Sequence, residues 1–177
     1  MGPLLANDPC PDDRNIFLLV EDDADEAFFV EVEFKRTGAA RLCLVKDGQQ
    51  AISYLQGRPP YDDRTEYPLP DVILLDLKMP RLDGFEVLKW LRSQAHDDVG
   101  LTPVVVMSGS DSLQDIRRAY KLGANLYLAK PPDPKQLRER IKLLTLLFCE
   151  HASTVKSAAV KAEISPSATQ SALAANV

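Results

Sequence analysis

The stretch DVILLDLKMPRLDG, residues 71–84, decides the fold. Its aliphatic run is nearly unbroken, the pattern of a strand covered on both faces, as in a parallel sheet. The run ends on a carboxylate, Asp76, and a proline and an Asp-Gly pair follow, both turn formers. An acid at the end of an otherwise buried strand needs a reason.

Four further runs of the same kind flank it: NIFLLV (15–20), RLCLV (41–45), PVVVMS (103–108) and NLYLA (125–129). Between them lie segments of helical period. Ala24 to Arg36 carries Ala27, Phe28, Val30 and Phe34 and stops at Gly38, a helix-ending residue. Gly48 to Leu55 forms a short second helix, and Phe85 to Arg92 a third with Phe85, Leu88 and Leu91 on one side. Leu113, Ile116, Ala119 and Tyr120 mark the fourth, and Lys135 to Glu150 the fifth. Strands alternating with helices make βαβ units, whose crossovers are right-handed. The expected fold is α/β, a flavodoxin-like (βα)5 doubly wound parallel sheet of strand order 2-1-3-4-5. In such sheets ligands sit outside the carboxyl ends of the strands, at the switch point beside the first and third.

The totals agree with one domain. The chain has 177 residues, 45% hydrophobic and 27% charged, an ordinary balance for a water-soluble domain with a sizeable core. No apolar run is long enough to cross a bilayer, and the first 15 residues lack the pattern of a secretory signal. A cytoplasmic location without membrane attachment is expected. Cys10, Cys43 and Cys149 are odd in number and lack metal-type spacing, consistent with unpaired thiols in a reducing compartment. A formal net charge of −5 offers no general attraction for nucleic acid. The expected division is an N-terminal extension (1–13), a core domain (14–150) with an insertion loop (56–70), and an Ala/Ser-rich C-terminal tail (151–177). The tail is too short for a second domain.

Read at their carboxyl ends, the strands present chemistry. The first runs into Glu21, Asp22 and Asp23, the third ends at Asp76, the fourth at Ser108, and the fifth is followed by Lys130. Each has an ordinary explanation alone, as a helix cap, a turn residue or a solvated lysine. Parallel strands bring them together, and clustered carboxylates repel one another unless a cation joins them. An oxygen-only set suits Mg2+. Asp76 is then placed to act as a nucleophile toward a phosphoryl donor, with the Lys130 ammonium and the Ser108 hydroxyl on the phosphoryl oxygens.

IFLLVEDD (16–23), DVILLDLKMPRLDGFEVL (71–88), PVVVMSGS (103–110) and GANLYLAKP (123–131) together resemble the receiver domain of two-component response regulators, over roughly residues 14–148. The resemblance implies Asp76 as phosphoacceptor. It implies a Mg2+ site of Glu21, Asp22, Asp76 and the backbone carbonyl of Lys78, with Asp23 a further acid. It also implies phosphoryl-binding and switch roles for Ser108, Gly109, Tyr127 and Lys130, and a cis bond between Lys130 and Pro131. Gly109 corresponds to the small residue that keeps the pocket open. Pro80 and Asp83-Gly84 shape the turn after the strand and the start of the next helix.

The insertion loop with MSGSD and KP also resembles single-domain response regulators that partner bacterial or cyanobacterial phytochrome histidine kinases. The implied function is a phosphoacceptor signalling protein, not an enzyme acting on other substrates, that takes a phosphoryl group from a histidine kinase and switches protein contacts. No effector domain is expected after helix five. Apolar IKLLTLLF (141–148) exceeds what one buried face needs, which points to a homodimer through helix four, strand five, helix five and the tail. Two rivals remain. A Mg2+-dependent phosphohydrolase of the haloacid dehalogenase type needs a second aspartate two positions after its nucleophile, where this chain has Lys78. A pseudo-receiver scaffold would not be phosphorylated, although every chemical position is filled here.

Overall fold

The computed structural model describes residues 15–94 and 98–163, with side chains to residue 148. Cys10 and His96, the extension 1–13 and the last part of the tail lie outside the described residues. Five parallel strands, β1 (Asn15–Val20), β2 (Ala40–Val45), β3 (Val72–Leu75), β4 (Val104–Ser108) and β5 (Leu126–Ala129), form one sheet in the order β2-β1-β3-β4-β5, as the alternation predicts. Around it lie α1 (Ala24–Thr37), α2 (Gly48–Gln56), α3 (Gly84–Ser93), α4 (Asp98–Leu101), α5 (Leu113–Lys121) and α6 (Pro134–Glu163).

The alternation of side chains along each strand splits the core into two layers. Phe17, Leu19, Val72, Leu74, Val105 and Met107 face α1 and α6, meeting Ala27, Val30, Phe34, Ile141 and Leu144. Leu18, Val20, Ile73, Leu75, Val104 and Val106 face α2, α3 and α5, meeting Tyr54, Leu55, Leu88, Leu91 and Ala119. With both faces covered, the three middle strands are buried along nearly their whole length, and the edge strand β5 is only half-buried.

Three features differ from the sequence expectation. The segment read as a loop after α3 contains the short helix α4, so the fourth and fifth long helices are α5 and α6. The last helix runs on from Glu150 to Glu163, because Ala, Val, Lys and Ser between them include no glycine or proline to stop it. The Lys130–Pro131 bond is trans, and the cis bond among the described residues joins Pro59 to Pro60.

The insertion loop is fastened down. Arg64 donates to the carbonyls of Tyr54 and Leu55, near the end of α2, and of Tyr67, at 2.8, 2.9 and 3.1 Å. Such a guanidinium satisfies helix-end carbonyls that have no partner within the helix. The rings of Tyr54, Tyr61 and Tyr67 meet within 5.1–6.0 Å, mostly edge to face.

Candidate functional site

The sheet hydrogen bonds bring the acidic residues together. The Asp76 amide donates to the Val20 carbonyl at 3.0 Å, which sets Asp76 beside Glu21. The Lys130 amide donates to the Ser108 carbonyl at 2.7 Å, which sets the lysine against the end of β4. One carboxylate oxygen from each of Glu21, Asp22 and Asp76 lies within 4.8 Å of the others. Glu21 and Asp76 are buried, Asp22 is exposed, and this all-oxygen group fits a hard divalent cation.

Asp23 does not join that group. Its carboxylate accepts from the Asp25 and Glu26 amides at 2.9 and 3.0 Å and caps α1, satisfying amides the helix leaves unpaired. Of the acids that could cap the first helix, Asp23 is the one that does so. Asp22 and Asp23 are adjacent, and the backbone turn into the helix sends their carboxylates to different tasks.

Lys130, 18% exposed, reaches over the cluster. Its Nζ lies 2.7 Å from Glu21, 3.3 Å from Asp76, and in contact with Glu26. Burial works against the ammonium, yet the carboxylates of Glu21, Glu26 and Asp76 hold its pKa well above that of an ordinary lysine. Burial pushes the Glu21 carboxyl up from 4.5 to about 7, against the opposing pull of Lys130 and with the Asp76 charge adding to the rise. Three acids around one lysine, with Asp22 beside two of them, leave a surplus of negative charge, which a bound cation would relieve.

The turn after Asp76 is built around it. The Lys78 amide donates to Asp76 Oδ2 at 3.0 Å, so the carboxylate is held from both sides, by amide and ammonium. Asp83 and Glu86 form a reciprocal capping box that starts α3. Gly84 is required there: a Cβ on it would come within 2.1 Å of the Asp76 carbonyl oxygen. Arg81, at φ 69°, bridges this turn to the Asp47 cap of α2.

Ser108 is fully buried and its Oγ accepts from the Ser110 amide at 3.3 Å. A Cβ added to Gly109 would meet nothing within 4 Å, so the space beside it is open, as expected of a pocket-side residue. The Tyr127 hydroxyl donates to the Ser110 carbonyl at 2.8 Å, which ties its ring to the β4–α5 loop. The Ser110 hydroxyl in turn donates to Asp115 at 2.6 Å. Glu26 and Ser110 were not singled out from the sequence. Glu26 stands in the first turn of α1, close in sequence to the acidic run Glu21–Asp23 but beyond the helix cap.

The response regulator receiver domain family matches residues 17–142, and this chain belongs to it. Response regulator Rcp1 of Synechocystis is 35% identical over 136 residues, 76% of this chain and 89% of that protein. Its Mn(2+)-bound crystal structure superimposes with a TM-score of 0.64 at 33% identity, over 72% of this chain and 88% of that one. The phosphorylated cyanobacterial phytochrome response regulator RcpA gives a TM-score of 0.69 at 31% identity, covering 76% and 94%. RPA3017, a response regulator in red light signaling of R. palustris, gives 0.67 at 37%, covering 73% and 90%. The chain is thus a response regulator of two-component signalling, a family partnered by histidine kinases, and the phosphohydrolase and scaffold readings are not favoured. Among the described residues no helix is long and apolar enough to cross a membrane.

Proposed function

We propose that Asp76 accepts a phosphoryl group from the phosphohistidine of a partner histidine kinase, within a receiver unit spanning residues 14–150. The observation that carries this reading is the Glu21, Asp22 and Asp76 cluster within 4.8 Å, with Lys130 Nζ 3.3 Å from Asp76. A carboxylate oxygen of Asp76 bonds to phosphorus as the bond from phosphorus to the imidazole nitrogen breaks, and the electron pair stays on the imidazole. Glu21, Asp22, Asp76 and the Lys78 carbonyl would hold Mg2+, which supplies charge neutralisation at the phosphoryl oxygens. Lys130 pairs with one phosphoryl oxygen and the Ser108 hydroxyl donates to another. Since Tyr127 is bonded to Ser110 in the loop that follows Ser108, movement of that loop reaches β5 and the neighbouring helices.

The output of such a switch is protein contact, so the chain acts as a cytoplasmic phosphoacceptor and not as an enzyme on other substrates. Leu143, Leu146 and Leu147 of α6 are 51–65% exposed, and Leu113 and Tyr120 of α5 are exposed beside β5. This apolar face supports a homodimer through α5, β5 and α6, extended by the tail (151–177). A monomer mass that is independent of concentration in light scattering would overturn the dimer. Similarity to phytochrome response regulators supports a bacteriophytochrome as the kinase.

The deciding experiment is incubation with Mg2+ and acetyl phosphate. The wild-type chain should gain one hydroxylamine-labile phosphate and the Asp76→Asn variant none. If neither is modified, the chain is a scaffold.

A further inference from the structure

Lys130 has three N–H donors; it donates to Glu21 and Glu26, and Asp76 lies 3.3 Å from its Nζ as an ion pair. Glu21 and Asp76 belong to the group that would hold a divalent ion, whose charge would neutralise theirs. Glu26 lies outside that group. It stands in the first turn of α1, on the helix that Asp23 caps, and its side chain is 49% exposed while the lysine beside it is 18% exposed. Among the described residues its carboxylate is bonded to Lys130 alone.

From this geometry we infer that Glu26 is a positioning residue, which holds Lys130 toward α1 and competes with the phosphoryl group of Asp76 for the lysine's N–H. The inference deepens the phosphoacceptor reading and rests on it. Before phosphorylation one N–H is satisfied by Glu26. Afterwards the ammonium turns to a phosphoryl oxygen while Glu26, outside the cation-binding group, still draws it toward α1. The phosphorylated state is thereby set against a fixed competitor, and the amount of donor needed to fill the site rises.

The test is a double-mutant cycle of Glu26→Gln with Lys130→Met, read as the acetyl phosphate concentration that half-fills Asp76 at saturating Mg2+. With Lys130 present, Glu26→Gln should lower that concentration about three- to fivefold, the effect of one partly exposed ion pair. With Lys130→Met, the same change should do nothing. No shift with Lys130 present, or equal shifts in both backgrounds, overturns the inference, since the second outcome means simple charge repulsion. Mg2+ affinity should change less than about twofold, as expected of a charge outside the ligand set, and a larger loss would make Glu26 a ligand instead. A second readout needs neither metal nor phosphate: acylation of Lys130 by an amine reagent, followed by peptide mass, should be faster in Glu26→Gln than in the wild type. Equal rates overturn the tether. A wild-type chain that takes no phosphate but shows faster acylation in the variant sinks the phosphoacceptor reading, and the competition with it, while leaving the Glu26 contact in place.

Discussion

Two buried glutamates at opposite ends of α1 face opposite electrostatic surroundings. Glu33, 5% exposed, sits in the seam between α1 and α6, where Arg138 donates to it at 2.9 Å and Arg36 at 2.6 Å. Glu21, 3% exposed, shares the single ammonium of Lys130 with Asp76 and Glu26. Burial pushes both carboxyls up, but the two guanidinium partners of Glu33 more than offset it and its pKa falls below 4.5. Glu21 lacks that surplus of cations, and its pKa rises to about 7. The seam is electrostatically complete, whereas the cluster at the strand ends is short of positive charge. That shortage is what lets the cluster respond to a cation and a phosphoryl group.

The contrast breaks most sharply at Lys130. Lys130→Met removes the only ammonium bonded to Glu21 and Asp76 among the described residues. In the absence of divalent metal this should cost about 2 kcal/mol in urea unfolding, by leaving partly buried carboxylates uncompensated. Saturating Mg2+ should shrink the deficit relative to wild type to less than half, because the ion supplies the missing charge. A deficit unchanged by Mg2+ would mean that the cluster does not hold the ion.

Glu33→Gln tests the other half. The glutamine keeps the shape and an acceptor oxygen but loses the charge, and its two arginine partners are half-exposed and can be solvated. The loss should be about 1 kcal/mol, the same with and without Mg2+. If Mg2+ altered it, the seam would be coupled to the site and the division between the two regions would fail.

Which of these features the sequence reveals follows from how local each cause is. Strand order and the meeting of Asp76 with Glu21 and Asp22 follow from aliphatic runs and right-handed crossovers, both visible in one dimension. The roles of Asp22 and Asp23 differ through backbone direction at the turn into α1, so composition could not separate them. Glu26 reaches Lys130 across 104 positions, and the contact depends on how α1 lies against β2 and α6. Arg64 looked like part of a charged loop, yet it caps α2, because the loop folds back over that helix. The extension of α6 to Glu163 was missed since an Ala/Ser-rich composition suits a tail as well as a helix. Legibility failed wherever a side chain's partner was chosen by tertiary packing.

The remaining expectation concerns pH dependence, and here the two glutamates should behave with opposite sign. Glu21 has a folded pKa raised to about 7 from 4.5, so in the metal-free protein its contribution is complete below pH 4.5 and is lost as the pH rises through 7. A divalent ion needs the ionised carboxylate, so binding below pH 7 must displace a proton. The thermal shift produced by Mg2+ should therefore be larger at pH 8 than at pH 6, with apparent affinity falling by up to about tenfold per unit below pH 7. Glu33 has a lowered pKa, so its contribution is present above pH 4.5 and is lost as the pH falls through its lower folded value. The Glu33→Gln deficit should then be constant from pH 6 to pH 8 and disappear only in acid. An Mg2+ shift that was flat over the same range would show that Glu21 is already ionised before the metal arrives, and that the lysine alone balances the cluster.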